Sequence, residues 1–274
     1  EIYQCDWSSD VCSSDLMSSF RTFAKTDVGL VRDGNEDAAL ISSRLIAVAD
    51  GMGGHAAGEV ASRIAIQTLR DLGGVLNDQA LDAESREDLL MNITTSIDDQ
   101  IAEHSKQNPD AAGLGTTLTA LHLGNDTVEM LHVGDSRCYQ WVGDELVQLS
   151  VDHTVMQELL AQGRLTQEEI AHHPQRSLLT QALVGDSGID PVLIVFPAKV
   201  GDAFLICSDG LSSVLSGQLM NEIITKNRTD GQSLVDELIK ATKAQGAPDN
   251  ITVIWAEVVA VETKTELTMM GAAK

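Results

Sequence analysis

Carboxylates standing at the ends of apolar runs are the residues of this sequence best suited to chemistry. Leu45–Ala49 is an unbroken apolar run that stops on Asp50, and Gly51, Gly53, Gly54 and Gly58 follow before a helical pattern begins near Glu59. This reads as strand, tight loop, helix. A strand end holds a carboxylate rigidly, and glycines let backbone and ligand approach it. The device recurs. Phe204–Cys207 leads through Ser208 into Asp209, Val128–Val133 runs into Gly134 and Asp135, and Asp249 stands just before the run Ile251–Trp255. Glu36 and Asp37 are adjacent, with Glu36 four residues after Arg32. If these loops converge, several negative charges share one small volume. At ~5 Å and an effective dielectric of ~20, each like-charged pair costs about 3 kcal/mol. Such a cluster is tenable only when it binds protons or cations, and an all-oxygen donor set suits Mg²⁺ or Mn²⁺ better than Zn²⁺.

The elements that must hold these residues follow from hydrophobic spacing. Phe20–Lys25 and Ala38–Ile41 read as short strands around a polar turn. Val60, Ala61, Ile64, Ala65 and Leu69 recur at helical spacing up to Gly73-Gly74, and Leu90, Ile93, Ile97 and Ile101 mark a second helix that ends at Asn108-Pro109. Thr116–Leu123, Val128–Val133 and Cys138–Val142, joined by turn residues, predict an antiparallel meander. Thr154–Pro174 is helical in pattern, with a stop at Gly163 and a capping box from Thr166 to Glu169. Strands are expected again at Val192–Phe196, Ala203–Cys207 and Ile251–Val259, with helices at Gln218–Lys226 and Ser233–Gln245. The stretch beyond Val259, residues 261–274 with Met269-Met270, reads as a loose polar tail. Helical pairs set between runs of strands predict an α+β protein, two packed sheets with helices outside.

Composition narrows the classes. The chain has 274 residues, no Pro- or Gly/Ser-rich linker and a 43% hydrophobic content, enough for one large domain. A net charge of −23 argues against nucleic acid or an anionic membrane as partner. No apolar run is long enough to span a bilayer. Glu1–Leu16 differs from the rest: it contains Cys5, Cys12 and Trp7, lacks the features of a signal peptide and resembles a translated sequencing-adapter artefact, with Met17 as the expected natural start. Without it only Cys138 and Cys207 remain, and both read as core thiols of a protein in a reducing cytoplasm. Gly51-x-Gly53-x-x-Ala56 matches a dinucleotide fingerprint in form, but Asp71 falls at a helix end rather than a strand end, where it cannot reach a ribose.

Eight blocks stand together in order: Arg32-x-x-Asn35-Glu36-Asp37, Asp50-Gly51-Met52-Gly53-Gly54-His55, Gly115-Thr116-Thr117, Gly134-Asp135-Ser136-Arg137, Asp152-His153-Thr154, Arg176–Leu183, Ser208-Asp209-Gly210-Leu211 and Asp249-Asn250-Ile251-Thr252. Through them the chain resembles the PPM (PP2C-type) metal-dependent protein phosphatases, in particular the bacterial PstP/Stp-like branch, from Phe20 to about Val259. The resemblance implies an α-β-β-α sandwich over residues 17–260, with a mobile flap at about 154–190 and a binuclear Mn²⁺ or Mg²⁺ centre at one end. Asp50 would bridge the two ions, with the Gly51 carbonyl on the first and Asp209 and Asp249 on the second. Glu36 and Asp37 would act at the metal waters, and Asp135 would join Asp209 at a weaker third ion. Arg32 would hold the substrate phosphate. The implied reaction is hydrolysis of phosphoserine and phosphothreonine on proteins by a metal-activated water, with Arg32, Asp50 and Asp209 as catalytic residues. The partners implied are phosphoproteins and a cognate Ser/Thr kinase, and the expected state is a cytoplasmic monomer, membrane-tethered in its full-length form if the C-terminus is truncated.

Met52 stands where eukaryotic relatives carry a His, so the proton donor to the leaving group is open, with His55 farther along the loop. Arg137 reads as a structural salt-bridge partner, His153 as a polar anchor, and His172 and His173 as surface residues. The competing classes are a pseudophosphatase that only binds phosphoproteins, a phosphatase of anti-sigma-factor antagonists, and a two-metal nuclease. The first requires loss of a metal Asp, the second usually carries sensor domains, and the third needs a basic track; the sequence has none of these features.

Overall fold

The computed structural model describes residues 18–53, 57–78, 81–109, 113–166, 169–170, 173, 175, 177–186, 188–260 and 267–274. The expected leader, Glu1–Leu16, lies outside these residues, as do Gly54, His55, His172 and Arg176.

Two antiparallel sheets form the centre. One contains β1 (Ser19–Asp27), β7 (Arg137–Val142), β8 (Glu145–Gln148), β10 (Ala203–Cys207) and β11 (Ile251–Val259), in the order β1-β11-β10-β7-β8. The other contains β2 (Asp37–Ile41), β3 (Leu45–Met52), β5 (Leu118–Leu123), β6 (Thr127–Val133), β9 (Val192–Pro197) and β12 (Thr268–Gly271), in the order β12-β2-β3-β5-β6-β9. The two-residue β4 (Gly115–Thr116) pairs with the end of β3.

Apolar runs without polar alternation need both faces covered, and the side chains divide accordingly. On β3, Ile46 and Val48 point between the sheets, while Leu45, Ala47 and Ala49 meet helices α1 (Ala57–Gly73) and α2 (Ala83–Gln107). On β11, Ile254, Ala256 and Val258 point between the sheets, while Ile251, Val253 and Trp255 meet the helices of the other side. Those helices are α5 (Gly217–Asn227) and α6 (Gly231–Ala244); two shorter ones, α3 (Val155–Ala161) and α4 (Asp209–Ser212), precede them. Three apolar layers therefore make the predicted α-β-β-α sandwich. Each large side chain fully buried in them, such as Trp255 or Phe20, contributes about 1.5–3 kcal/mol. Cys138 and Cys207 are free and buried on opposite faces of their sheet.

Two expectations need correction. The meander ends after β6: β7 pairs with β10 in the other sheet. The crossing is made at Gly134, whose φ of +105° turns the chain, and a Cβ there would lie 2.5 Å from Thr117 Cγ2. Composition alone could not separate a hairpin turn from a crossing between sheets. The tail is not loose over its described part. Thr268–Gly271 adds a strand to the edge of β2, and Ala273 is 2% exposed in the layer against α1 and α2. The apolar Met269 and Met270 carry this docking, and their short run among polar residues concealed it. The helical pattern from Thr154 breaks at its expected stop. It forms α3, capped by Thr154, and stops at Gly163 with φ +67° before the Thr166–Glu169 capping box.

Candidate metal centre

One end of the sandwich gathers the expected carboxylates. Asp37 opens β2 and lies directly across from Asp50 near the end of β3. Asp209 begins α4 just after β10, Asp249 precedes β11, and Asp135 sits at the crossing between the sheets. Close backbone packing locks these loops together. A Cβ on Gly210 would stand 1.9 Å from the Asn250 carbonyl oxygen, so only glycine lets the starts of α4 and β11 meet. A Cβ on Gly58 would lie 2.7 Å from both Glu36 Oε2 and the Gly51 carbonyl oxygen. The Gly51 N–H donates to the Glu36 carbonyl at 3.2 Å.

A layer of uncharged side chains fixes the acids from behind. Thr117 Oγ1 accepts from the Asp50 N–H at 3.1 Å and lies 2.5 Å from Ser136 Oγ. Ser208 Oγ–H donates to Asp37 Oδ2 at 2.7 Å and accepts from the Thr252 N–H at 2.9 Å. Asn250 accepts from the Glu36 N–H at 2.8 Å and donates to the carbonyls of Val28 and Gly34. Sequence reading assigned no role to Thr117, Ser136, Ser208 or Asn250. The one available signal was their place inside the ordered blocks.

The electrostatics are those of crowded acids. Asp37 is 1% exposed, and its Oδ1 has no hydrogen-bond partner. Burial, with the charges of Asp209 and Asp249, pushes Asp37 up to about 7, against hydrogen bonds from Ser208 and Thr252 that hold it down. Asp50 rises well above the ordinary carboxylate range through desolvation and then through Asp37, Asp209, Asp135 and Asp249. Desolvation and Asp209 push Asp135 to about 7. Asp209 also rises, through desolvation and Asp249, with a hydrogen bond from Asp50 acting against the shift. Glu36 is raised chiefly by desolvation, against the pull of Arg32.

A group of acids held this far from its ordinary ionisation has the charge and the donor chemistry to take a cation. Among the described residues, however, no three His, Cys, Asp or Glu side chains form a ready chelating set. An ion here would complete its shell with backbone carbonyls and water. That fits Mg²⁺ and similar hard ions, which take one or two carboxylates and keep several waters, and it does not fit a closed structural zinc site.

The remaining expected residues are distributed around this cluster. Arg32 is exposed, and its Nη2 donates to Asp249 Oδ2 at 2.8 Å. Arg137 makes its salt bridge to Asp152, with Nε at 2.9 Å from Oδ1 and Nη2 at 2.6 Å from Oδ2. His153 anchors the crossing: its Nδ1 accepts from the Gly134 N–H at 3.2 Å. His173 is partly exposed and accepts from the Gln175 N–H. A cleft of about 650 Å³, lined by Asp135, Asp209, Arg137, Thr154, Gln157 and Ser212 among others, reaches the cluster from the α3 side.

A two-sheet sandwich with an acidic end of this kind defines a class. The chain belongs to the protein phosphatase 2C family, whose profile, described as Protein phosphatase 2C, matches residues 33–253. It is 40% identical over 242 residues to Serine/threonine protein phosphatase PstP of Mycobacterium tuberculosis, a match that takes in 87% of this chain and 45% of that protein. The chain thus spans about half the length of that curated relative. It is 34% identical over 238 residues to Serine/threonine phosphatase stp of Listeria monocytogenes, covering 85% of this chain and 94% of that protein. Among solved structures it is similar to the Mycobacterium tuberculosis phosphatase PstP/Ppp, with a TM-score of 0.81, 39% identity, and coverage of 88% of this chain and 99% of that one. It is also similar to the catalytic domain of PstP in complex with 2 manganese ions, with a TM-score of 0.78, 37% identity and the same coverage. Among the described residues no helix is long and apolar enough to cross a membrane.

Proposed function

We propose that this chain is a metal-dependent protein-serine/threonine phosphatase that hydrolyses phosphoserine and phosphothreonine on proteins and opposes a Ser/Thr kinase. The observation that carries the reading is Asp37: a buried carboxylate with one oxygen unpartnered, facing Asp50 across paired strands within a group of mutually repelling acids. Such a group has little use other than to hold cations. Asp50, the Gly51 carbonyl, Asp209 and Asp249 would hold two divalent ions, Glu36 and Asp37 would act at their water shells, and Asp135 with Asp209 would hold a weaker third. The two manganese ions bound by the PstP catalytic domain support the count of two.

When bound, the ions supply an activated water and neutralise phosphate charge. The chain's own residues do the rest. Arg32 spends one N–H on Asp249, and its other donors remain for two phosphate oxygens in a fork. Thr117 and Ser208 hold Asp50 and Asp37 in place, so little reorganisation is needed when charge develops. Met52 carries no proton to give, so the leaving alkoxide takes its proton from elsewhere. The segment at about 154–190 would act as a flap over the cleft, and the working unit would be a monomer.

The test is phosphate release from a phosphothreonine peptide with Mn²⁺, before and after exhaustive chelation. Release that stops with EDTA and returns with Mn²⁺ is expected. Release that survives chelation would remove the metals from the account, and no release at all would remove the phosphatase activity.

A further inference from the structure

The strand β12 does more than finish a sheet edge. Its last residues reach the backbone of Asp37, which the proposed function makes part of the metal centre. Gly271 has φ +64°, and a Cβ on it would stand 2.1 Å from the Asp37 carbonyl oxygen. Only glycine allows this approach. One residue on, the Ala272 N–H donates to the same Asp37 carbonyl at 2.8 Å. The segment is anchored on both sides of that contact. Thr268 to Gly271 pair with Ile41 back to Ala38, Met269 packs toward α1, Met270 packs between the sheets, and Ala273 is buried. All of this lies beyond residues 33–253, the part of the chain that the family profile matches.

We propose that residues 267–273 form a strap that positions Asp37 for metal binding. The inference rests on the metal reading above. Asp37 is the first residue of β2. Without β12, that strand would become a sheet edge, and the Asp37 carbonyl would lose the N–H that fixes it. Ser208 and Thr252 hold its carboxylate from one side, with Ser208 Oγ–H on Oδ2, while Oδ1 is unpartnered, so the backbone helps set where that free oxygen points. Strap docking and ion binding should then be coupled, and the coupling must be reciprocal: whatever the strap adds to ion affinity, the ion adds to strap docking.

The experiment has two arms, one on the full chain and one that compares it with a shortened chain and added peptides. Hydrogen exchange is followed at the amides of residues 268–273 with and without Mn²⁺. Mn²⁺ binding is measured by calorimetry for the full chain, for a chain ending at residue 260, and for that shortened chain with a synthetic peptide of residues 267–274. The expected results are slower exchange at Ala272 on adding Mn²⁺, about tenfold weaker Mn²⁺ binding in the shortened chain, and recovery with the peptide but not with its Gly271→Val form. Recovery in trans is strand addition to the β2 edge. If Ala272 exchanges at the same rate with and without Mn²⁺, or the shortened chain binds Mn²⁺ as tightly as the full chain, the strap does not position Asp37. If the shortened chain fails to fold, the exchange arm on the intact protein decides alone. If the full chain binds no Mn²⁺ at all, the metal reading itself falls and the strap proposal falls with it.

Discussion

Replacing Asp37 by Asn should stabilise the metal-free protein at alkaline pH while weakening its hold on metal. Asp37 is raised from 3.8 to about 7, which corresponds to about 4 kcal/mol of penalty for the charged form in the folded state. Below pH 3.8 both folded and unfolded chains carry the proton. Between there and about pH 7 only the folded chain keeps it, so stability falls as pH rises, and above about 7 the whole penalty is present. Asparagine removes the charge and can still accept from Ser208 Oγ–H. It places an amide N–H₂ where Oδ1 now lacks a partner, a loss of about 1–3 kcal/mol. The net gain at pH 8 is then roughly 1–3 kcal/mol, or about 2–12 °C in Tm for a domain of this size. Thermal melts in EDTA at pH 5 and pH 8 measure it. Wild type should melt lower at pH 8 than at pH 5. The variant should narrow that gap without closing it, because Asp135, also near 7, titrates in the same direction. With Mn²⁺ at about 100 times its Kd, wild type should gain roughly 2.7 kcal/mol and the variant less. A variant no more stable than wild type at pH 8 in EDTA, or a wild type that melts higher at pH 8 than at pH 5, would refute the crowded-acid argument.

Arg32→Ala should lower kcat/KM on a phosphopeptide about ten- to a hundredfold, the worth of one charge-assisted hydrogen bond. Mn²⁺ affinity should hold or improve, because Asp249 loses its ion-pair partner; unchanged kinetics would take Arg32 out of the site. Asp135→Ala should keep two bound ions and lose a weaker third, and calorimetric stoichiometry equal to wild type would leave Asp135 as a turn residue. Asp209→Asn should abolish nearly all turnover, and wild-type rates would contradict its role at the ions. Gly134→Ala, at φ +105° and against Thr117, should cost at least about 1–3 kcal/mol of stability by denaturant melt; a neutral effect would mean the crossing between sheets is not tightly built.

The layers were legible because both faces of each central strand are buried. Leu45–Ala49 is apolar on every residue and Ile251–Trp255 on all but the buried Thr252, and their ends mark where the acids stand. The carboxylates themselves were legible from type and position. What the sequence hid was long-range. Asp37 and Asp50 face each other only through the register of β2 with β3, and Arg32 meets Asp249 across 217 residues of chain. The crossing at Gly134 looked like another hairpin turn, because the strand patterns on either side are the same whether the partner is β6 or β10. β8 was missed because three of its four residues are exposed, so it has no buried periodicity to detect. β12 was missed because four residues among polar neighbours carry too little pattern, and its stability comes from the β2 edge that receives it.

Whether these acids hold divalent ions is read most directly by anomalous diffraction from crystals grown with Mn²⁺. Two strong manganese peaks are expected at the end of the sandwich, bounded by Asp50, the Gly51 carbonyl, Asp209 and Asp249, with a weaker third beside Asp135. An empty acidic end at saturating Mn²⁺, or peaks confined to other surfaces, would contradict the metal reading.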